Sequence, residues 1–456
     1  MAAKRKEKLM QRLIRPERAL CFGFLALILL GGILLALPWA AASGSSIGLG
    51  NALFTATSAV CVTGLIVVDT GTSFSPFGQL VLILLIQMGG LGFMVFATLV
   101  MVALGRRITL RDRMLMRESL NTASLSGLVR LLFWYGAMAL VIEAAGAAVL
   151  CLRFVPMYGW RRGVYYSLWH AVSAFCNAGF DLFGEYASLT GFQQEPVVLL
   201  TIALLIILGG TGFAVMSELL EHRFRWRRLS LHARLSVVTT TVLLVAGTAY
   251  MALAEWGNPA TLGGVQGWGM RLINAFFQSV TMRTAGFNSV DLASLADGTK
   301  FVSVLLMLVG ANPASTGGGI KTTTIAVVLL AVWAMVRGRE NAEVFGRRIP
   351  HSLVRRAVAV VTVTVMVFLA AALSLTVLEG GRVPFIDLLF ETASAMATVG
   401  VTSAGTPSLS IGSRIVLVPV MYLGRVGPLT MALALTRRRD EGPGRLRYPE
   451  EDVTIG

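Results

Sequence analysis

Charged residues are scarce in this chain. They account for 14% of its 456 residues, whereas hydrophobic side chains account for 55%. A soluble globular domain carries roughly a quarter charged residues. The composition therefore excludes a water-soluble globular protein and predicts an integral membrane protein.

Groups that commonly perform chemistry are also few. The chain has four histidines and four cysteines, and no CxxC or His/Cys cluster has the spacing of metal ligands. No GK[ST] phosphate-binding motif occurs, so a nucleotide-hydrolysing module is excluded. Paired Asp, Ser/Lys or HExxH groups are missing from the apolar runs. We expect neither an enzyme nor a cofactor-binding protein.

Positive charge exceeds negative charge by 15, but it is not spread over the chain. It collects in five clusters beside apolar runs: Lys4–Arg18, Arg106–Arg117, Arg223–Arg234, Arg337–Arg356 and Arg437–Arg447. Clusters that follow alternate runs are typical of cytoplasmic loops under the positive-inside rule. We therefore expect both termini in the cytoplasm and no nucleic acid partner.

Eight long apolar runs predict eight membrane spans. They are residues 19–38, 78–104, 129–152, 196–220, 235–254, 300–336, 353–378 and 413–436. Since lipid leaves backbone groups without partners, spans of this kind are helical. The predicted fold class is an all-α integral membrane protein with a basic N-terminus (1–18) and a charged C-terminal tail (437–456).

Four short stretches between these runs resemble one another. We call them the glycine segments: TSAVCVTGL (57–65), VSAFCNAGF (172–180), SVTMRTAGF (279–287) and ASAMATVGV (393–401). Their glycines, Gly64, Gly179, Gly286 and Gly400, lie 115, 107 and 114 residues apart. Each segment follows an apolar stretch of roughly ten residues, which is too short to cross a bilayer. The pattern predicts four span–pore-helix–filter–span repeats around a pseudo-fourfold pore.

The predicted repeats cover residues 19–104, 129–220, 232–336 and 353–436. A single glycine segment could equally be an ordinary packing site between membrane helices. Four copies at similar spacing favour the pore.

The residues immediately before the four glycines are all uncharged. They are Val62, Thr63, Asn177, Ala178, Thr284, Ala285, Thr398 and Val399. Selection by a ring of carboxylates is therefore unfavoured, whereas rings of backbone carbonyl oxygens can replace the hydration shell of an ion. Such a filter suits a monovalent cation better than Mg²⁺, which sheds water reluctantly.

The sixth apolar run is interrupted by VGANPASTGGGIKTTT (309–324). Glycine costs about 1 kcal/mol and proline about 3 kcal/mol inside a helix relative to alanine. The sequence predicts an irregular loop at membrane depth, which is tolerated where it faces a cavity. Either it is a simple kink or it forms a flexible barrier across the ion path, and we favour the barrier. The predicted gate residues are Gly310, Ala311, Asn312, Pro313, Ala314, Ser315, Thr316, Gly317, Gly318, Gly319 and Lys321.

Four further polar positions lie in or beside the apolar runs. Arg283 and Glu391, on the third and fourth pore helices, could pair and brace adjacent segments. Glu143 is expected to hydrogen-bond to a neighbouring helix or to support a filter. His170 is expected to support the fold, because no second ligand accompanies it.

Six motifs together resemble the Trk/Ktr/HKT superfamily of potassium transporters. VCVTGL, CNAGF, RTAGF and ATVGV match its four filter segments in order, NPASTGGGIKTTT matches its intramembrane gate loop, and YLGRVGPLT (422–430) matches its last span. Trk-type subunits usually carry two additional N-terminal spans, so we expect the Ktr type, whose membrane subunits are called KtrB. One departure is Val401, which stands where the other segments have Leu or Phe.

The resemblance implies K⁺ uptake across the bacterial plasma membrane, with K⁺ bound by filter carbonyls. It implies a homodimer, surrounded by membrane lipids, and a cytoplasmic ring of RCK-type regulatory subunits (KtrA type) that binds ATP and ADP. Stimulation by Na⁺ is common in the family. Arg425, in the last span, corresponds to a family residue below the filter and is expected to act with the gate. The alternative is a secondary cation transporter of the Trk type with alternating access.

Overall fold

The computed structural model describes residues 16–92 and 128–435. Within these residues helices dominate, and the sheet is one hairpin in which β1 (Glu343–Val344) pairs antiparallel with β2 (Arg347–Arg348). The predicted basic clusters before residue 16 and at 106–117, the end of the second apolar run and the tail from residue 436 lie outside the described residues.

Long and short helices are interspersed along the described residues. In chain order they are α1 (Pro16–Leu35), α2 (Leu49–Val60), α3 (Thr70–Ser73), α4 (Pro76–Leu91), α5 (Leu128–Tyr158), α6 (Trp160–Phe175), α7 (Pro196–Thr211), α8 (Phe213–Glu221), α9 (Leu231–Glu255), α10 (Trp268–Thr281), α11 (Asp297–Leu308), α12 (Thr322–Val336), α13 (His351–Glu379), α14 (Phe385–Ala397), α15 (Ile411–Val426) and α16 (Pro428–Leu435).

Three described helices are long and apolar enough to cross a membrane. They are Val129–Tyr158, Leu231–Glu255 and His351–Glu379. The pair α7 and α8 raises the number to four if it counts as one span, although the two helices meet at 95°. The other apolar helical stretches found in the described residues, Leu20–Leu35 within α1, Pro76–Leu91 and Thr322–Val336, have fewer than 18 residues, so the number eight stays a prediction.

The short helices α2, α6, α10 and α14 each end in a glycine segment. They contain 12, 16, 14 and 13 residues, somewhat more than the ten predicted. Their C-terminal halves are almost completely buried, and the side chains at the start of the glycine segments are part of one continuous core. The core of the molecule therefore surrounds the four glycine segments.

The predicted interruption of the sixth run is present, since α11 ends at Leu308 and α12 begins at Thr322. Sequence analysis missed similar breaks in the second, fourth and eighth runs, where helices end at Gly92, Gly212 and Gly427. These glycines have φ angles of +84°, +89° and +90°, a conformation that other residues resist. The signal was a repeated Gly-x-x-Gly pattern at 89–92, 209–212 and 424–427.

The first glycine of each Gly-x-x-Gly pattern allows close packing between helices. A Cβ at Gly89 would lie 2.1 Å from the carbonyl oxygen of Val60, and a Cβ at Gly209 would lie 1.9 Å from that of Phe175. A Cβ at Gly424 would lie 2.1 Å from the carbonyl oxygen of Met396. Each second helix thus packs its backbone directly on the end of the pore helix of the same unit.

A buried ion pair joins α11 to the last pore helix. Nζ of Lys300 lies 2.8 Å from Oδ1 of Asp387, and both residues are less than a tenth exposed. Separating the two residues would leave each charge buried without a partner, which is costly. The pair therefore stabilises the contact between the third and fourth units.

We predict that Asp387→Asn destabilises the protein by about 3–5 kcal/mol, because Lys300 then remains charged without its partner. Thermal unfolding in detergent measures this effect. Arg382→Gln is the control: its side chain is 64% exposed in the pair with Glu379, and exposed pairs contribute about 1 kcal/mol or less. Equal unfolding temperatures for the two variants would contradict the assignment.

Candidate ion-conduction site

The four glycine segments share one backbone conformation. The residue two places before each glycine has a positive φ, which is 56° at Val62, 59° at Asn177, 71° at Thr284 and 53° at Thr398. The four glycines themselves have φ angles between 70° and 97°. Positive φ is uncommon outside glycine, and its occurrence at four equivalent places indicates a constrained and repeated structure.

Hydroxyl groups at the ends of the pore helices hold this conformation. Ser58 Oγ accepts a hydrogen bond of 3.0 Å from the amide of Gly64, and Ser394 Oγ accepts an equal bond from Gly400. Ser173 Oγ donates instead to the carbonyl of Phe180, at 2.7 Å. In the third segment Val280 occupies the serine position, and the neighbouring Thr281 donates to the carbonyl of Phe287.

The four glycines meet in cyclic order. At each one, a Cβ would collide with the carbonyl oxygen of the residue before a neighbouring glycine. The distance from the Cβ position to that carbonyl oxygen is 2.5 Å for Gly64 and Ala178, 2.8 Å for Gly179 and Ala285, 2.7 Å for Gly286 and Val399, and 2.1 Å for Gly400 and Thr63. The segments therefore form a closed ring in which backbone faces backbone.

A cavity of about 400 Å³ opens on one side of the ring. All four glycines line it, together with residues that follow them in the chain, among which are Asp181 and Asp291. We call this cavity the vestibule. Its two carboxylates give the approach to the ring a negative charge, which raises the local concentration of cations.

The loop of residues 309–321 lies against the other end of the segments. A Cβ at Gly317 would lie 2.2 Å from Oγ1 of Thr284, and a Cβ at Gly318 would lie 2.1 Å from Oγ1 of Thr398. Thr316 Oγ1 donates a 2.9 Å hydrogen bond to the carbonyl of Phe175. The loop thus touches the second, third and fourth units, and its glycines are needed for this close approach.

The backbone of the loop is tied to the break between α7 and α8. The amide of Asn312 donates to the carbonyl of Gly210 at 3.0 Å, and that of Thr316 donates to Gly209 at 3.2 Å. In return, the amide of Phe213 donates to the carbonyl of Ala314 at 3.0 Å. The loop and the facing ends of α7 and α8 therefore satisfy each other's backbone groups, as burial away from water requires.

Two cationic side chains also contact the loop. Arg425 donates to the carbonyl oxygens of Thr316 and Gly89, and at 3.2 Å to that of Gly90. Lys321 Nζ donates to the carbonyl of Gly317 at 2.7 Å. Among residues 16–92 and 128–435, neither side chain has a carboxylate within ion-pair distance.

The hypothesis that Arg283 pairs with Glu391 is wrong. Arg283 donates to the carbonyl of Gly310 at 3.2 Å, and so ties the third segment to the loop. Glu391 accepts hydrogen bonds from the hydroxyl groups of Thr402 and Thr406, in the chain that follows the fourth segment. The sequence alone could not predict these partners. Arg283 bonds to a backbone carbonyl and Glu391 to two hydroxyl groups, and only the fold brings these groups together.

Glu143 and His170 contact neighbouring elements as expected. Both carboxylate oxygens of Glu143 accept from Nε2 of Gln87, at 3.0 and 3.1 Å, and the thiol of Cys176 lies 3.2 Å from Oε1 of the same glutamine. The His170 ring stacks on Phe183 with centroids 4.3 Å apart. In the described ranges no cluster of His, Cys, Asp and Glu is arranged to hold a metal ion.

A helical, strongly apolar chain with at least three helices long enough to cross a membrane defines the class as a multi-pass membrane protein. Comparison with known proteins identifies the family. The chain belongs to the TrkH family of cation transport proteins, whose family model matches residues 25–440. The resemblance expected from the six motifs is thereby confirmed.

Relatives match the chain almost from end to end. The Ktr system potassium uptake protein B of Bacillus subtilis is 40% identical over 441 residues, which cover 97% of each chain. The potassium/sodium uptake protein NtpJ of Enterococcus hirae is 37% identical over 454 residues, 99% of each chain. The crystal structure of the potassium transporter TrkH from Vibrio parahaemolyticus has a TM-score of 0.69 at 18% identity, covering 91% of this chain and 84% of that one. This last likeness establishes the shared fold.

The vestibule predicts a pH dependence of cation entry. Burial raises the pKa of the Asp181 carboxyl to about 7, and the nearby Asp69 carboxylate adds to this effect, although a hydrogen bond from the amide of Phe183 opposes it. Asp181 is charged above this pKa and neutral below it, so cation flux from the vestibule side should fall as the pH on that side is lowered from about 8 to 6. Rb⁺ flux in liposomes, measured against the pH on each side of the membrane, shows the step.

Asp181→Asn should remove the step. Asp291→Asn, at the same vestibule, is the control: it should lower influx at every pH and leave the step in place. A step that persists in Asp181→Asn would refute the assignment.

Proposed function

We propose that the chain is the pore-forming subunit of a gated K⁺ uptake system of the Ktr type in the bacterial plasma membrane. The observation that carries this proposal is the ring in which each segment glycine faces the carbonyl oxygen beside a neighbouring one. Backbone carbonyls can replace the water around a cation. The printed names of the relatives, which include potassium uptake, agree with this cargo.

The proposed selectivity filter consists of the three residues that end at each segment glycine: Val62–Gly64, Asn177–Gly179, Thr284–Gly286 and Thr398–Gly400. Their side chains are uncharged and almost completely buried, so a dehydrated cation would be coordinated by backbone oxygen. The alternative, a secondary transporter with alternating access, usually uses inverted repeats. Here each of the four glycine segments follows its short helix in the same order, and all four lie in one ring. This arrangement favours a channel-like path.

The proposed gate is the loop 310–321 together with Arg425. The loop contacts three of the four units directly below the proposed filter, and its carbonyl oxygens hold Lys321 and Arg425 in place. An ion that leaves the ring on this side must pass the loop. Fixed positive charge at the same level opposes a resident cation.

We propose that a cytoplasmic ring of RCK-type subunits (KtrA type), which binds ATP and ADP, regulates the protein. We also propose that the protein is a homodimer and that its termini are cytoplasmic. The words "Ktr system" in a relative's name support a system with several components. A route exists within this chain: α8, which bonds to the loop through Phe213, ends at the basic stretch 223–234. Glu218 ties the two together by accepting from the amide and the hydroxyl of Ser230. Na⁺ stimulation is proposed from the name of the Enterococcus hirae relative.

We predict that Gly64→Ser reduces discrimination of K⁺ over Na⁺ by at least about tenfold, which corresponds to ~1.4 kcal/mol. The added side chain would displace the carbonyl of Ala178. Competition of Na⁺ with Rb⁺ influx in liposomes measures the change. Gly48→Ser is the matched control, because Gly48 has a φ of +86° but no neighbour within 4 Å of its Cβ position. Unchanged selectivity in Gly64→Ser would exclude the proposed filter.

We also predict that deletion of Ala314–Gly319 raises basal flux several-fold, because the barrier below the ring is removed. Growth of a K⁺-uptake-deficient bacterium and Rb⁺ flux in liposomes report the outcome. A well-folded deletion protein with unchanged or reduced flux would rule out the gate.

A point substitution tests the gate without shortening the chain. Arg425→Ala should raise flux, since it removes both a fixed positive charge and the bonds to Thr316. Arg414→Ala is the control: this arginine also donates to carbonyl oxygens, at Leu409 and Pro407, but does not touch the loop. Equal effects of the two substitutions would contradict a special role for Arg425.

A further inference from the structure

A second cavity, of about 220 Å³, lies beside the loop, between α12, α13 and α15. Its charged lining residues are Lys321, Arg356 and Arg425, and no acidic residue lines it. We call it the basic cavity. It lies apart from the vestibule and from the ring of glycines, and shares no lining residue with the vestibule.

Within residues 16–92 and 128–435, none of the three cations has a carboxylate within ion-pair distance, since the three ion pairs found there involve other residues. Among the same residues, Lys321 and Arg425 donate to neutral carbonyl oxygens. Three positive charges around one cavity repel each other. Lys321 and Arg425 are partly buried, where an unpaired charge is costly, whereas Arg356 is exposed. An anion in the cavity would offset both costs.

The uncharged part of the lining is mixed. Ile320, Val360, Met396 and Val426 give it apolar surface, and Thr324, Thr364 and Thr430 add hydroxyl groups. On α13, Arg356, Val360 and Thr364 are spaced by four residues, so they share one face of the helix. With a rise of about 1.5 Å per residue, Thr364 lies about 12 Å further along the helix than Arg356. The cavity thus runs from the basic end of α13 along an apolar surface.

We propose that the basic cavity binds the phosphate of an anionic membrane phospholipid such as phosphatidylglycerol. Arg356 contacts the phosphate at the entrance, and Lys321 and Arg425 supply positive charge further in. The apolar lining accommodates the glycerol and the first carbons of an acyl chain. Basic pockets between membrane helices are suited to anionic headgroups, whereas a free phosphate ion gains nothing from the apolar wall.

This site has a consequence for the loop. Gly319, Ile320 and Lys321 belong to both the loop and the cavity wall. A bound phosphate would stabilise the present position of Lys321, and of the loop with it. This consequence rests on the proposed function, but the binding itself does not.

Native mass spectrometry of the detergent-purified protein tests the binding. The wild type should retain phosphatidylglycerol in preference to phosphatidylcholine. Arg356→Gln should weaken this retention about tenfold or more, because it removes a charge-assisted hydrogen bond to the phosphate, and Arg356→Lys should restore part of it.

Arg355→Gln is the matched control. Arg355 and Arg356 are both exposed, but Arg355 does not line the cavity, so this substitution removes the same charge and should leave retention unchanged. If Arg355→Gln and Arg356→Gln lost phosphatidylglycerol equally, the retention would depend on general surface charge, and the proposed site would be wrong. A wild type without preference for phosphatidylglycerol would overturn it as well.

A competition experiment separates the two sources of phosphate. Inorganic phosphate at 10 mM should leave phosphatidylglycerol bound. Displacement of the lipid by inorganic phosphate would assign the cavity to a soluble anion and overturn the lipid proposal. Because these measurements record binding alone, their outcome is independent of whether the protein conducts K⁺.

Discussion

At each of four glycines, a carbonyl oxygen from another part of the chain occupies the space that a side chain would need. Much else in the structure follows from this close approach of backbone to backbone. The pore helices must end before the ring, because a helix cannot adopt the positive φ found two residues before each glycine. The second helices must then carry glycine where they pack on those helix ends, as Gly89, Gly209 and Gly424 do.

Non-helical backbone inside a membrane needs partners within the protein. The structure meets this need by placing irregular stretches against one another. The loop of the third unit exchanges hydrogen bonds with the break in the second unit, from Asn312 to Gly210 and from Phe213 to Ala314. Arg425, at the break of the fourth unit, donates to both the loop and the break of the first. The helix breaks are therefore mutually dependent.

Features set by local backbone chemistry could be predicted from the sequence. The glycine segments and the interrupted sixth run were found because glycine and proline mark positions where a helix cannot continue. The breaks at Gly92, Gly212 and Gly427 have the same cause and were overlooked, although Gly-x-x-Gly recurs at each. Side-chain partners were harder to predict: Arg283 meets the carbonyl of Gly310, not Glu391. The position of a carbonyl oxygen depends on the whole fold and leaves no mark in a sequence.

The loop is held by the second unit as well as by its own helices. Within the third unit, Arg283 donates to Gly310, Thr240 of α9 bonds to Asn312, and a short backbone bridge joins Val309 to Ile320. The second unit supplies the carbonyls of Gly209 and Gly210 and the amide of Phe213. Because Phe213 is the first residue of α8, a displacement of α8 strains the bond to Ala314 and moves the loop with it. A cytoplasmic partner that pulls on the basic stretch after α8 would therefore act on the loop without touching it.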